Sequence, residues 1–431
     1  MVKIAFLGAG SSVFAKNVLG DCLCVPGLKD AHIALVDIDP KRLADSERMM
    51  NNLNRNLSGR ATVEATRDRR AALQSADFVV NAIQVGGYEP STIIDFEVPK
   101  KYGLRQTIAD TLGIGGIMRT LRTLPVLLEF AHDIEELCPD AWFLNCTNPM
   151  AMLTGGLLRA TGVRAVGLCH SVQVCASHLC RMLELPDDDL RAKIAGINHQ
   201  GWLLKITRHG EDLYPEIKRR AFQDEHFHKD SVRFEVMRQF GYYVTESSEH
   251  TSEYLPYFIK ATHPELIERY RVPLDEYPRR CVNQIEKWRQ MREELTNSVD
   301  LTHERTHEYA SSIMDSIIHD RPYQLGGNVI NNGLITNLPS DACVEVPCLV
   351  DGNGVQGTHV GALPLQCAAV NTTNINVQLL TIEAALTHKR EHIYHAALLD
   401  PHTSSELTID EIRSLVDELM EAHGDYLPKY R

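Results

Sequence analysis

A short apolar run, VKIAFLG, ends at Gly8 and passes through Gly10, Ser11 and Ser12 into a helical stretch from about Phe14 to Cys22. Few folds accept a buried strand, a glycine turn and a helix in so few residues. The two glycines let the backbone turn sharply and approach a pyrophosphate, whose charge is favoured by the helix N-terminus behind them. A second apolar run, His32 to Val36, stops at Asp37, where doubly wound folds set an acid against the adenosine ribose. Position 13, where the third fingerprint glycine would stand, is Val, and a lone GxG is often only a turn. Placed between a first strand and a helix, with Asp37 closing the next strand, it points to a dinucleotide site made by Gly8, Gly10, Ser11, Ser12 and Asp37. A carboxylate there accepts bonds from both ribose hydroxyls and repels a 2′-phosphate, so NAD rather than NADP is the expected cofactor.

The alternation continues. Pro40 opens a polar helix to about Leu57, Thr62–Ala65 makes a short strand, and FVVNAI at 78–83 is a buried strand. A long amphipathic helix spans about Ile117 to Leu137. Strands follow at Trp142–Cys146 and Ala165–Leu168. Six such strands predict an α/β fold with a Rossmann-like, doubly wound parallel sheet. Past about residue 200 the texture changes to longer charged helices (233–240 and 274–295), a strand-rich patch at 324–364 and two late helices at 377–398 and 409–423. The expected division is an NAD-binding Rossmann-like domain at 1–200 and an α+β lobe at 201–431 for substrate binding and oligomerisation, the two sharing an interface.

Composition limits the partners. Asp and Glu number 57 against 44 Lys and Arg, a formal net charge of -13, the wrong sign for a chain that binds phosphate backbones. No apolar run approaches the roughly 18 residues that span a bilayer, and no basic amphipathic stretch suggests a membrane-surface helix. Neither nucleic acid nor membrane is an expected partner. Eleven cysteines, an odd count without zinc-ribbon or disulfide-scaffold spacing, fit a reducing cytoplasm.

Three further places carry chemistry. NCTNP at 145–149 falls where open sheets bind ligands, and Asn148 can reach a ribose or a substrate hydroxyl, although an Asn–Pro pair also simply makes a turn. Cys169 and His170 end a buried strand, and His199 follows in AGINH, expected at the edge of the sheet. One thiolate and one imidazole near the crevice suit a borderline divalent ion with open positions, but such a pair on its own is more often a pair of core residues. HERTH at 303–307 matches the HExxH zinc motif; the third His of a metzincin is replaced by Ile313, and a solvated helix face is the expected reading.

Taken jointly, the segments IAFLGAGSSVF, ALVDIDP, FVVNAIQVGGYEP, IADTLGIGGIMRTLRT, NCTNPMAM, GLCHSVQ, AGINH, TESSEHTSEYLPYFIK and NLPSDACVEVPCLVD resemble glycoside hydrolase family 4 along essentially the whole chain. The CHSV form around Cys169 is similar to the family's α-galactosidase branch rather than to the branches that act on 6-phosphorylated sugars. The resemblance implies an enzyme that needs NAD and a divalent metal, usually Mn²⁺, and that cleaves small glycosides by oxidation at C3, elimination across C1 and C2, water addition and reduction. It stands apart from hydrolases that use paired carboxylates. It implies Cys169 and His199 as metal ligands, Asn148 as a substrate-binding residue, Tyr254 as the base and Asp110 as the acid that makes this tyrosine more basic. The family's phospho-α-glucosidases carry an Asp proton donor where this chain has His170, which makes His170 the candidate donor here. Some α-glucosidase-like members have an Asp base near the position of Ser248, and Ser cannot replace it. A homodimer or homotetramer is implied.

The alternatives are an α-glucosidase or α-uronidase of the same family, a malate- or lactate-type dehydrogenase with His199 as acid/base and no metal, and a non-enzymatic NAD sensor.

Overall fold

A computed structural model describes all 431 residues of the chain. The six expected strands are β1 (Lys3–Leu7), β2 (His32–Val36), β3 (Thr62–Thr66), β4 (Phe78–Asn81), β5 (Trp142–Asn145) and β6 (Arg164–Gly167). All pair in parallel, in the order β3-β2-β1-β4-β5-β6. The winding reverses between β1 and β4, so a crevice opens beyond their carboxyl ends, the usual ligand position in such sheets. Continuous apolar strands are what this arrangement requires, because helices cover both faces.

Seven more strands follow: β7 (Leu190–Ile197), β8 (Gln200–Arg208), β9 (Glu211–Asp212), β10 (Tyr243–Val244), β11 (Tyr323–Ile330), β12 (Cys343–Asp351) and β13 (Gly354–Gly357). They extend the same sheet, antiparallel, beyond β6 in the order β11-β12-β7-β8-β10, with β13 on β12 and β9 on β8. Strand β7 therefore lies inside the sheet. His199 is not at a sheet edge, as expected from AGINH, but in the two-residue turn that joins β7 to β8.

Local chemistry sets the helix ends. The Asp39 carboxylate caps the helix Pro40–Asn56 by accepting from the amides of Lys41 and Arg42, and Pro40 starts it with φ already set. Thr408 and Glu411 form a reciprocal capping box on the helix Ile409–His423. The single helix expected at 377–398 is two, Leu365–Thr387 and Arg390–Leu399, because His388 takes a left-handed conformation (φ 57°) that ends the first. HERTH lies in a loop, not on a solvated helix face. Its His303 is buried, with Nε2 2.6 Å from Asp21 Oδ1, so this histidine ties the loop to the helix Val13–Cys24. All eleven cysteines are free thiols, and no helix is long and apolar enough to cross a membrane.

Candidate active site

The glycine loop meets the crevice through close backbone contacts. Gly8 sits at φ 89°, and a Cβ there would lie 2.7 Å from the Ala82 carbonyl; at Gly10 it would lie 2.6 Å from Asp37 Oδ2. Only glycine fits either position. The Asp37 carboxylate accepts from the Gly10 amide at 2.7 Å and from the Asp39 amide at 2.9 Å, which leaves lone pairs for a ligand. Ser12 turns its hydroxyl inward to the Gly10 carbonyl, 3.2 Å away, and so braces the loop. The Ser11 hydroxyl is buried without a partner. An unpaired buried donor beside a loop stripped of side chains fits a dinucleotide phosphate.

The second cluster is assembled from three distant parts of the chain. Cys169 stands at the N-terminal end of the helix His170–Met182 just past β6, where the helix dipole favours an anionic ligand. His199 occupies the β7–β8 turn and Glu246 follows β10. Both adopt left-handed backbone conformations, at φ 61° and 70°, and such strain in bulky residues concentrates at functional sites. The ligand atoms of Cys169, His199 and Glu246 all lie within 4.8 Å of one another. A sulfur, an imidazole nitrogen and a carboxylate oxygen form a donor set that fits a borderline divalent cation with positions left open. Burial would lower the pKa of His199, but Glu246 and Cys169 override this and raise it to about 10. Burial opposes ionisation of Glu246 too, yet His199 and His250 hold its carboxyl below the usual range.

Tyr254 ends the helix Ser248–Tyr254 and is buried, its phenol 3.0 Å from His199 Nδ1. Burial first, and then the charges of Asp110, Glu253 and Glu246, push the phenol well above its ordinary value of 10. Asp110 lies beside this group. Its Oδ2 accepts from Asn148 Nδ2 at 3.3 Å, its Oδ1 accepts from the Thr111 hydroxyl at 2.8 Å, and His250 Nε2 is 3.7 Å away. Burial works against its charge, but His250 and Arg119 hold the carboxyl well below the carboxylate range. The Asn148 carbonyl accepts from Arg119, so the loop after β5 is anchored at both ends of this residue.

Cys169, His199, Tyr254, Asp110 and Asn148 thus come together from the sequence list. His170, next in the chain to Cys169, turns its half-exposed ring to Glu308, 2.8 Å away, and that bond raises its pKa. Ser248 also faces elsewhere, donating to Asp230 at 2.6 Å. Glu246 and His250 were not foreseen, although both stand in TESSEH, four residues apart, and a carboxylate beside a Cys and His pair is the ligand type such a metal would add.

Residues 3–185 match the family model "Family 4 glycosyl hydrolase", and residues 194–403 match "Family 4 glycosyl hydrolase C-terminal domain". An α-galactosidase of Bacillus subtilis is 58% identical over the whole of both chains. An α-galactosidase of Rhizobium meliloti is 36% identical, over 99% of this chain and 89% of its own length. Among solved structures, a 6-phospho-β-glucosidase of Thermotoga maritima with manganese, NAD⁺ and glucose-6-phosphate superposes with a TM-score of 0.81 over the whole of both chains at 22% identity, a likeness of fold. Two family matches that between them take in nearly all of the sheet and the site, joined by full-length relatives, identify this chain as a member of glycosyl hydrolase family 4.

Proposed function

We propose that this glycosidase is an α-galactosidase that works with NAD and Mn²⁺ by oxidation and elimination. The observation that carries the reading is the meeting of Tyr254 with the cluster of Cys169, His199 and Glu246 in a chain 58% identical to an α-galactosidase. Gly8, Gly10, Ser11 and Asp37 would hold NAD, with Ser12 bracing their loop, and Cys169, His199 and Glu246 would hold the cation. When bound, NAD would supply a hydride acceptor for the sugar and the cation a positive charge that polarises the oxidised sugar.

The chain's own groups do the rest. Asn148 orients a sugar hydroxyl, and the anionic Asp110 at its side makes the Tyr254 oxygen a stronger base. Tyr254 removes the proton from C2, and the charge that makes its phenol ionisable near neutral pH comes from the bound ligands. His170, which its Glu308 partner keeps protonated to higher pH, is assigned the proton delivered to the leaving oxygen. Residues 1–200 form the NAD-binding part; residues 201–431 supply Glu246 and Tyr254 and are assigned to substrate binding and self-association. The exposed Val282, Ile285 and Met291 of the helix Glu276–Asn297 support a homo-oligomer, and the free cysteines support a cytoplasmic enzyme.

The test is a panel of p-nitrophenyl α-galactoside, α-glucoside and α-galacturonide with NAD, Mn²⁺ and a thiol reductant. Cleavage of the α-galactoside that requires both additions, without net NADH, is the expected result. A preference for another sugar would move the enzyme to another branch, and stoichiometric NADH would make it a dehydrogenase.

A further inference from the structure

We propose that Glu345 is a positioning residue that sets the spacing of Cys169 and His199 by tying together the two chain segments that carry them. The inference rests on the metal-site reading above. Glu345 lies in β12, in register with Asn328 of β11 on one side and Gly196 of β7 on the other. Its Oε1 accepts from Asn198 Nδ2 at 3.2 Å and from Asn328 Nδ2 at 3.1 Å. Asn198 is the residue before His199. The Asn328 amide also donates to the carbonyl of Gly167 at 3.3 Å, two residues before Cys169. A single carboxylate oxygen therefore reaches one ligand through the β7–β8 turn and the other through the end of β6.

The strand ladder alone leaves this spacing loosely determined. β6 meets β11 only at Gly167 and Asn328, and β12 meets β7 only at Glu345 and Gly196. One aligned pair at each junction restrains slide and tilt weakly, and two side-chain bonds to a shared atom add to that restraint. A packing role alone would be served by an apolar residue. Glu345 is instead fully buried, its Oε2 has no partner, and burial pushes its carboxyl up to about 7. Groups that orient metal ligands commonly affect affinity by roughly 10–100-fold.

The experiment titrates Mn²⁺ into chelator-stripped protein by EPR and measures NAD binding and melting on the same samples. Glu345→Ala should weaken Mn²⁺ binding by about tenfold or more with NAD affinity unchanged. Glu345→Gln, whose amide oxygen can still accept from both asparagines, should restore it to near wild type. Asn328→Ala, which cuts only the Cys169 side, should fall between, and it decides the matter if Glu345→Ala does not fold. Wild-type Mn²⁺ affinity in a folded Glu345→Ala or in Asn328→Ala would overturn the proposal, as would equal loss of NAD and Mn²⁺. His199→Ala is the control: if it binds Mn²⁺ like wild type, the metal-site reading itself fails, and if it alone loses the metal, only the role of Glu345 does.

Discussion

The Tyr254 phenol lies 3.0 Å from Nδ1 of His199, while Nε2 of the same ring faces Glu246 at 3.5 Å. One imidazole thus links the candidate base to the candidate metal cluster, and its two nitrogens have separate partners. Tyr254→Phe should lower turnover by roughly 10²–10⁴-fold, the range for loss of a general base, with NAD and Mn²⁺ binding retained. Turnover of wild type in D₂O should leave deuterium at C2 of the released sugar. A product without label at C2 would remove the elimination mechanism. Label at C2 together with wild-type turnover in Tyr254→Phe would remove only this choice of base.

Chelation should abolish activity and Mn²⁺ restore it. His199→Ala, which deletes one ligand and leaves Cys169 and Glu246, should lose metal-dependent turnover while keeping its melting temperature within a few degrees and its NAD affinity. Full activity in protein shown by elemental analysis to be free of divalent metal would refute the site.

Asp37 holds the Gly10 amide as well as facing the crevice, so Asp37→Ala should act twice. NAD affinity should fall by about tenfold or more, as expected for losing a charged hydrogen-bond acceptor, and discrimination against NADP should relax. Calorimetry with both cofactors checks this. A wild-type preference for NADP would contradict the assignment.

Glu253 accepts the amides of Thr107, Ile108 and Ala109 at 2.7–3.3 Å, tying the loop before Asp110 to the helix that ends in Tyr254. Glu253→Ala leaves three buried donors unpaired and should destabilise the protein by about 3 kcal/mol or more in urea titrations. A change below about 1 kcal/mol would show that water replaces the carboxylate.

The raised Glu345 carboxyl gives a pH signature. Its folded value near 7 exceeds the ordinary 4.5, so between these limits the native state binds more protons than the unfolded chain. Stability from this group is fully present below about pH 4.5 and is lost as pH rises through 7, by up to about 3 kcal/mol. In chelated protein, wild type should therefore lose stability relative to Glu345→Gln between pH 5 and 8. Parallel curves for the two proteins would contradict the shift.

The parallel half of the sheet and its glycine loop were legible because buried strands are continuous apolar runs and because a tight turn demands glycine at fixed positions. The β7–β8 hairpin was not. Its turn is the buried pair Asn198 and His199, whereas turn signals assume exposed Gly, Asn or Asp pairs. Nor does sequence periodicity signal a helix break at His388, which has no glycine or proline beside it. Cys169 and His199 stood out in the sequence as a possible metal pair, the family motifs decided that reading, and Tyr254 was reached through those motifs alone. Glu246 and Glu345 owe their significance to chain segments that meet only in three dimensions, and nothing within TESSEH or VEVP alone marks either as part of a site.

The sheet runs from β6 into β11 without a break, and one apolar cluster includes both Leu19 and Ile313. A hinge requires a seam that few contacts cross; the ladders do narrow to one aligned pair at β6–β11 and one at β12–β7, but the same apolar cluster spans both junctions through Val166, Val344, Val346, Ala195 and Ile197. A shared core of this kind opposes a swing of one half of the molecule over the other. Tyr254, His199 and Glu246 stand on segments held in place by that core, so on the proposed mechanism a bulkier aglycone is admitted by reshaping the rim of the crevice and not by retuning a closing motion.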